Sequence, residues 1–238
     1  MMTQAPRPDL SGGLDGVLTL LSQSLRASAT VVYWIDATKG SPIAHHGYEN
    51  AYFERYEQGA GRDDPISFQT VVRQGSRLAF LSQTLKTLDR SRLGGFMHFM
   101  SDCGFADAMT FILRDGDRPM IGVGVMKTHD DPPMTEETAA VAQAIQSYLE
   151  TNLIHHPGIR RHYVDRQLDV KFGLSRRERE VVGLIADGAS NHDISVVLGI
   201  SEATVKTHIQ RSFDKLGVSS RTATMRMLLQ PEHWLRSA

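Results

Sequence analysis

Serines stand where three successive helices should begin in the last third of this chain, and glycines close the first two of those helices. Ser175 has Glu178 three residues later, the spacing of a capping box, and the apolar Val181, Val182, Leu184 and Ile185 run on toward Gly188. Ser190 opens a second, shorter stretch with Ile194, Val197 and Leu198, which stops at Gly199. Ser201 then opens a third. Only Gly199-Ile200-Ser201 separates the second helix from the third, and two short helices joined by a three-residue turn containing glycine have the helix-turn-helix geometry. A fourth helix is expected over about Arg221–Leu229.

On the third helix Val205, Ile209, Phe213 and Leu216 share one face, which must pack on the first two helices. Lys206, Thr207, Gln210 and Arg211 therefore point outward. Lysine suits guanine O6 and N7, glutamine suits adenine N6 and N7, and threonine offers a hydroxyl or a methyl contact, so Lys206, Thr207 and Gln210 are candidate base readers. His208, Arg211 and Lys215 stand where phosphate contacts are expected, and the capped helix starts at Ser190, Ser201 and Thr204 present amides to phosphate oxygens. Taken alone, such a polar face also fits ordinary solvated surface.

Four stretches in succession decide between these readings: Leu174–Val182, Gly188–Ile194, Leu198–His208 and Lys215–Thr222. In that order they resemble the LuxR-type helix-turn-helix. The resemblance implies a four-helix domain that binds double-stranded DNA through its third helix, often with the fourth as a homodimer contact and with RNA polymerase as a further partner. It also suggests an internal Glu178–Arg221 pair.

Charge agrees in sign with that expectation. Residues 171–238 carry ten Lys/Arg against seven Asp/Glu, while residues 1–170 carry sixteen against twenty. The imbalance is small, so the motif carries the argument.

The rest of the chain mixes helices with strands. Leu14, Val17, Leu18, Leu21 and Leu25 recur at helical spacing after a Pro-containing leader, and Thr30–Ile35 reads as a buried strand whose Trp34 fits core or pocket. Short helices are expected over Asn50–Gln58 and Ile66–Gln74, with a break at Gly59-Ala60-Gly61 and a turn at Asp64-Pro65. A longer helix is expected over Thr84–Cys103. Ala108–Arg114 and Met120–Lys127 flank a tight connection and predict an antiparallel hairpin. Thr135 is placed to N-cap a helix with Glu136 and Glu137 in its first turn and Val141, Ile145, Leu149 and Leu153 as its apolar stripe.

This pattern lacks regular βα alternation. The expected class is α+β: an N-terminal α/β/α sensor-like domain with an antiparallel sheet over 1–154, a linker over 155–173, and an all-α four-helix helix-turn-helix domain over 174–238.

Several chemistries find no support. No acidic pair, phosphoacceptor Asp and Lys fall at phosphoreceiver positions, and there is no phosphate-binding loop, nucleophile–base pair or zinc-spaced ligand set. No enzyme activity, cofactor or metal is expected. His45-His46 and His155-His156 read as loop histidines, and the lone Cys103 as a small buried hydrophobe. No run of roughly 18 apolar residues and no apolar signal core occur, so a cytoplasmic protein with no membrane partner is expected. A sigma-like factor would need a helical, basic and aromatic segment upstream, where strands and acidic balance stand instead.

Tyr52-Phe53-Glu54-Arg55-Tyr56, Asp64-Pro65, Leu78-Ala79-Phe80 and Cys103–Ala108 resemble the autoinducer-binding domain of quorum-sensing LuxR proteins. Carried over by position, Tyr52, Tyr56, Asp64 and Phe80 would line the ligand site, aromatic walls burying an acyl chain while the carboxylate accepts from an amide. Tyr52 and Phe80 stand where that family has Trp, and Ala108 where it has Gly. Three readings stay open: an acyl-homoserine lactone, another small ligand in a similar pocket, or no ligand and control through protein contacts.

Overall fold

The computed structural model describes residues 11–36, 39–88, 93–230 and 234. The leader and residues 89–92 of the expected Thr84–Cys103 helix lie outside them. The chain divides into two compact units, Met1–His156 and Pro157–Ala238.

The first unit is built on a five-stranded antiparallel sheet in the order β2-β1-β5-β4-β3. Its strands are β1 (Ala29–Ile35), β2 (Gly40–His46), β3 (Leu78–Phe80), β4 (Phe105–Asp115) and β5 (Arg118–Thr128). The predicted hairpin is β4–β5, closed at Gly116-Asp117 with Gly116 at φ 63°. That left-handed conformation carries no steric cost in glycine.

Side chains alternate across the sheet, and the register sorts them into two faces. Thr30, Val32 and Trp34 share one face with Val123, Val125 and Ile121, beneath α1 (Ser11–Leu25) and α6 (Glu136–Asn152). The Ser22 and Thr30 hydroxyls meet there at 3.5 Å, and Trp34 is buried on this side, which makes it core. Leu14, Leu18, Leu21 and Leu25 of α1 are all buried, as the helical spacing predicts. Helix α6 starts where Thr135 predicts, Thr135 and Thr138 exchanging side-chain-to-backbone bonds of 3.2 Å in both directions. Lys127, buried at the end of β5, gives its ammonium to the carbonyls of Arg26 and Pro132 at 3.1 and 2.8 Å. Its charge is thereby hydrogen-bonded rather than stranded.

The opposite face lies under α2 (Asn50–Glu57), a 3₁₀ turn at Ala60–Asp63, α3 (Phe68–Arg73), α4 (Leu81–Thr84) and α5 (Gly94–Asp102). The single helix expected over Thr84–Cys103 is thus replaced by α4, a turn and α5. Gly94 and Gly95 stand at the start of α5 rather than inside a longer helix, in keeping with their weak helix propensity. Helix α3 begins two residues later than expected because Ser67 caps it, accepting from the Thr70 amide at 3.4 Å.

In the second unit, residues expected as linker form α7 (Pro157–Phe172), with Ile159, Tyr163 and Leu168 buried. Pro157 occupies the first helical position, where proline is well tolerated. Arg179 ties the next helix to α7 through Asp165 at 3.3 Å and Asp169 at 2.9 Å. Four helices follow: α8 (Arg176–Ala186), α9 (Asn191–Leu198), α10 (Glu202–Leu216) and α11 (Arg221–Leu229). Val181, Ile185, Ile194 and Val205 form their buried core, with Ile209, Phe213 and Met225 packed around it. Among the described residues no helix is long and apolar enough to cross a membrane.

Candidate functional site

Helix α10 is positioned by the caps that the sequence announces. Ser175 and Glu178 complete a capping box at α8, Ser190 and Asp193 complete another at α9, and Ser201 accepts from the Thr204 amide at 3.1 Å to start α10. Gly199 closes α9 with φ 62° and ψ 39°, the left-handed conformation that turns the chain into α10 within two residues. His192 of α9 and Glu202 of α10 meet at 3.1 Å across that turn.

Helix α10 buries Val205, Ser212 and Leu216 and exposes Lys206, Thr207, Gln210 and Arg211. Thr207 gives its hydroxyl to the Ala203 carbonyl at 3.1 Å, leaving its methyl to the outside, and the Gln210 amide is held by Asp214 at 2.9 Å. His208 is half-buried, with Nδ1 enclosed and unpartnered. Ser190, Ser201 and Thr204 are exposed at the helix starts.

Lys215 is engaged inside the domain. Its ammonium reaches the Glu178 carboxylate at 2.7 Å and the Gly173 carbonyl at 2.9 Å. Burial pushes the Glu178 carboxyl up, but the bonds from Lys215 and Ser175 overcome this and hold it below the usual carboxylate range. The Glu178–Arg221 pair suggested by the resemblance is therefore corrected to Glu178–Lys215. Arg221 lies at the start of α11, and its guanidinium bonds the Ala189 carbonyl instead.

A second site lies in the first unit, a cavity of about 500 Å³ between the sheet and α2. On the sheet side it is lined by Val31, Gly124 and Thr110, which stand side by side in one row, and by Tyr33, which lies over Gly122 in the next. A Cβ at Gly122 would lie 2.1 Å from the Tyr33 ring, and one at Gly40 2.8 Å from it. Tyr33 lies across β5 because those side chains are missing. Gly61 does the same for Tyr56, where an added Cβ would meet the ring at 2.5 Å.

The wall is aromatic. On α2 Tyr56 follows Tyr52 by four residues and Phe53 by three, and Tyr48 joins them, its ring centroid 4.7 Å from Tyr52 and 5.2 Å from Phe53. Asp64 is the buried carboxylate. It accepts from the Tyr56 hydroxyl at 2.6 Å and from the Ile66 amide at 2.9 Å. Burial lifts its pKa from 3.8 to about 6 against the pull of those two bonds, and no cation contributes among the described residues. Burial first, with the Asp64 charge among the further causes, holds Tyr33, Tyr48, Tyr52 and Tyr56 above the ordinary tyrosine range.

Three of the four expected pocket residues, Tyr52, Tyr56 and Asp64, are thus brought together. Phe80 is not among the lining residues. It pairs with Met109 on the edge strand β3, a register that turns it to the opposite face of the sheet from Thr110. Tyr33, Tyr48, Phe53 and Thr110 are lining residues that sequence reading missed. The aromatic character of Tyr33 and Tyr48 was visible, but their convergence depends on strand register.

Neither histidine pair lines the cavity, although the His45 ring packs against Phe53 of its wall with centroids 4.9 Å apart. His45 and His46 end β2 rather than lying in a loop, His155 and His156 precede α7, and the described residues hold no cluster of three or more metal-ligating side chains. Cys103 is half-buried, and burial raises its thiol pKa, which keeps it in the poorly nucleophilic form.

Residues 173–228 match the family described as bacterial regulatory proteins of the luxR family. The monoamine regulon transcriptional regulator of Klebsiella aerogenes is 27% identical over 86% of this chain and 85% of its own length. The quorum-sensing regulator RhlR of Pseudomonas aeruginosa is 27% identical over 84% of this chain and 83% of its own. The probable regulatory protein NarL of Mycobacterium tuberculosis is 52% identical over 52 residues, 22% of this chain and 24% of its own. Residues 173–228 are a DNA-binding domain of the LuxR family, and the chain that carries them is a DNA-binding transcription regulator.

Proposed function

We propose that this regulator works as a homodimer whose hold on a two-fold-related DNA site answers to a small molecule in the N-terminal cavity. The observation that carries the reading is the buried Asp64 carboxylate opening onto a cavity of about 500 Å³ walled by tyrosines. Interiors are close-packed, and a largely apolar-walled space of this size with a few placed polar groups is the usual form of a ligand site.

On the DNA side, Lys206, Thr207 and Gln210 read base edges, while His208, Arg211 and the amides at Ser190, Ser201 and Thr204 hold phosphates. Lys215, with two of its three donors taken by Glu178 and the Gly173 carbonyl, has one left for a phosphate. The protein acts in the cytoplasm, on double-stranded DNA and beside RNA polymerase.

Native mass spectrometry of the full chain purified from its own source tests both halves at once. The expected spectrum shows a dimer with a small molecule of stoichiometric mass. A spectrum of bare chains, together with DNA binding indifferent to cell extract, defeats the ligand-responsive reading.

A further inference from the structure

We propose that the cavity takes a small organic ammonium, a protonated amine on an apolar body, with its cation seated between Asp64 and the tyrosine faces. This rests on the ligand-responsive reading above and names the chemistry of the occupant.

The first argument is charge. Asp64 is buried and among the described residues accepts two hydrogen bonds, from Tyr56 and Ile66, whereas an ionised carboxylate has about four acceptor positions. Lys39, Arg62 and Glu57 also line the cavity, but all three are exposed and sit at its mouth, where water screens them. A buried carboxylate without a cation is costly, and a ligand cation removes that cost.

The second argument is the wall. Tyr33, Tyr48, Tyr52 and Tyr56 line the same cavity, and all four sense the Asp64 charge. Phenol faces carry negative potential and attract cations within about 6 Å of the ring centre.

The third is donor count. The Tyr48 hydroxyl is buried with no hydrogen-bond partner. An ammonium has three donors and can serve a carboxylate oxygen and a phenol oxygen together, while an amide N–H or an alcohol has one. The raised pKa of Asp64, about 6, fits the same picture, because at neutral pH the group is ionised at a desolvation cost that a bound cation relieves.

Isothermal titration of the full chain at pH 7.5 with 2-phenylethylamine, hexylamine, 2-phenylethanol and N-butanoyl-homoserine lactone tests the proposal. Each amine is expected to bind at least about tenfold more tightly than the alcohol, a preference that Asp64→Asn abolishes. Should Asp64→Asn fail to fold, Tyr48→Phe is expected to weaken the amines severalfold and leave the alcohol unchanged. An alcohol that binds as tightly as the amines, binding of the lactone alone, or no binding by either amine overturns the proposal. The ligand-responsive reading survives those results if the native spectrum shows a neutral molecule bound, so the two fail separately.

Discussion

The Tyr56 hydroxyl serves one oxygen of Asp64 at 2.6 Å while the Ile66 amide serves the other at 2.9 Å, and among the described residues these two bonds are all that compensates a buried carboxylate. They lower its pKa without offsetting burial, which leaves it at about 6 against an ordinary 3.8.

A group whose folded pKa is raised favours folding below its unfolded pKa, and that contribution disappears as pH climbs through the folded value. For Asp64 the window runs from about 4 to about 6, and the contribution lost is about 3 kcal/mol. Asp64→Asn should therefore stabilise the free protein at pH 7.5 by about 1–3 kcal/mol and give no advantage at pH 4. Urea denaturation at the two pH values checks this, and equal stability of the two proteins at pH 7.5 contradicts it.

The Tyr33 ring occupies the space that a side chain at position 122 would need. Gly122→Ala forces that ring to move and should cost about 1–3 kcal/mol, seen as a lower urea midpoint with an unchanged slope. The moved ring should also block the cavity and weaken small-molecule binding. A variant with wild-type midpoint and wild-type binding would show that the floor tolerates a methyl.

Glu178 caps α8 and holds Lys215, and the Glu178 side chain is only 5% exposed. Glu178→Ala should cost about 2 kcal/mol, less than a fully buried pair, because the Lys215 side chain is 38% exposed and regains water. Arg221→Ala should leave the Glu178–Lys215 pair intact. A double-mutant cycle measures the two couplings, and a coupling to Arg221 larger than that to Lys215 contradicts the assignment.

Lys206→Ala and Gln210→Ala should each cost about 1–3 kcal/mol of operator binding and relax sequence preference at one base position. Arg211→Ala should instead weaken all sequences alike and reduce the salt slope by about 1. Gel-shift titrations over a panel of operator variants and salt concentrations separate the two classes. Preference left intact in both of the first two variants would remove them from base reading.

What was legible in the sequence is what local chemistry decides. Ser175, Ser190 and Ser201 cap the helices they were expected to cap, and Gly199 makes the expected turn, because each effect is settled within about four residues. Strand β2 was missed because Pro42 sits in it and its burial does not alternate cleanly; an edge strand tolerates both. Strand β3 has only three residues, too few for a period. Tyr52, Tyr56 and Asp64 could be read together because one helix and one turn hold them. Tyr33, Thr110, Gly122 and Gly124 become neighbours only through the β1–β5–β4 register, which no local signal specifies.

The cavity over the sheet is defined by atoms that are missing. Gly122, Gly124, Gly40 and Gly61 let rings and side chains settle where a methyl group would stand. A cavity shaped in this way is sensitive to single methyl groups, since each one displaces the ring or side chain settled in its place while leaving the hydrogen bonds between the strands intact. The shape of the space and the stability of the fold are thereby coupled at the same few positions.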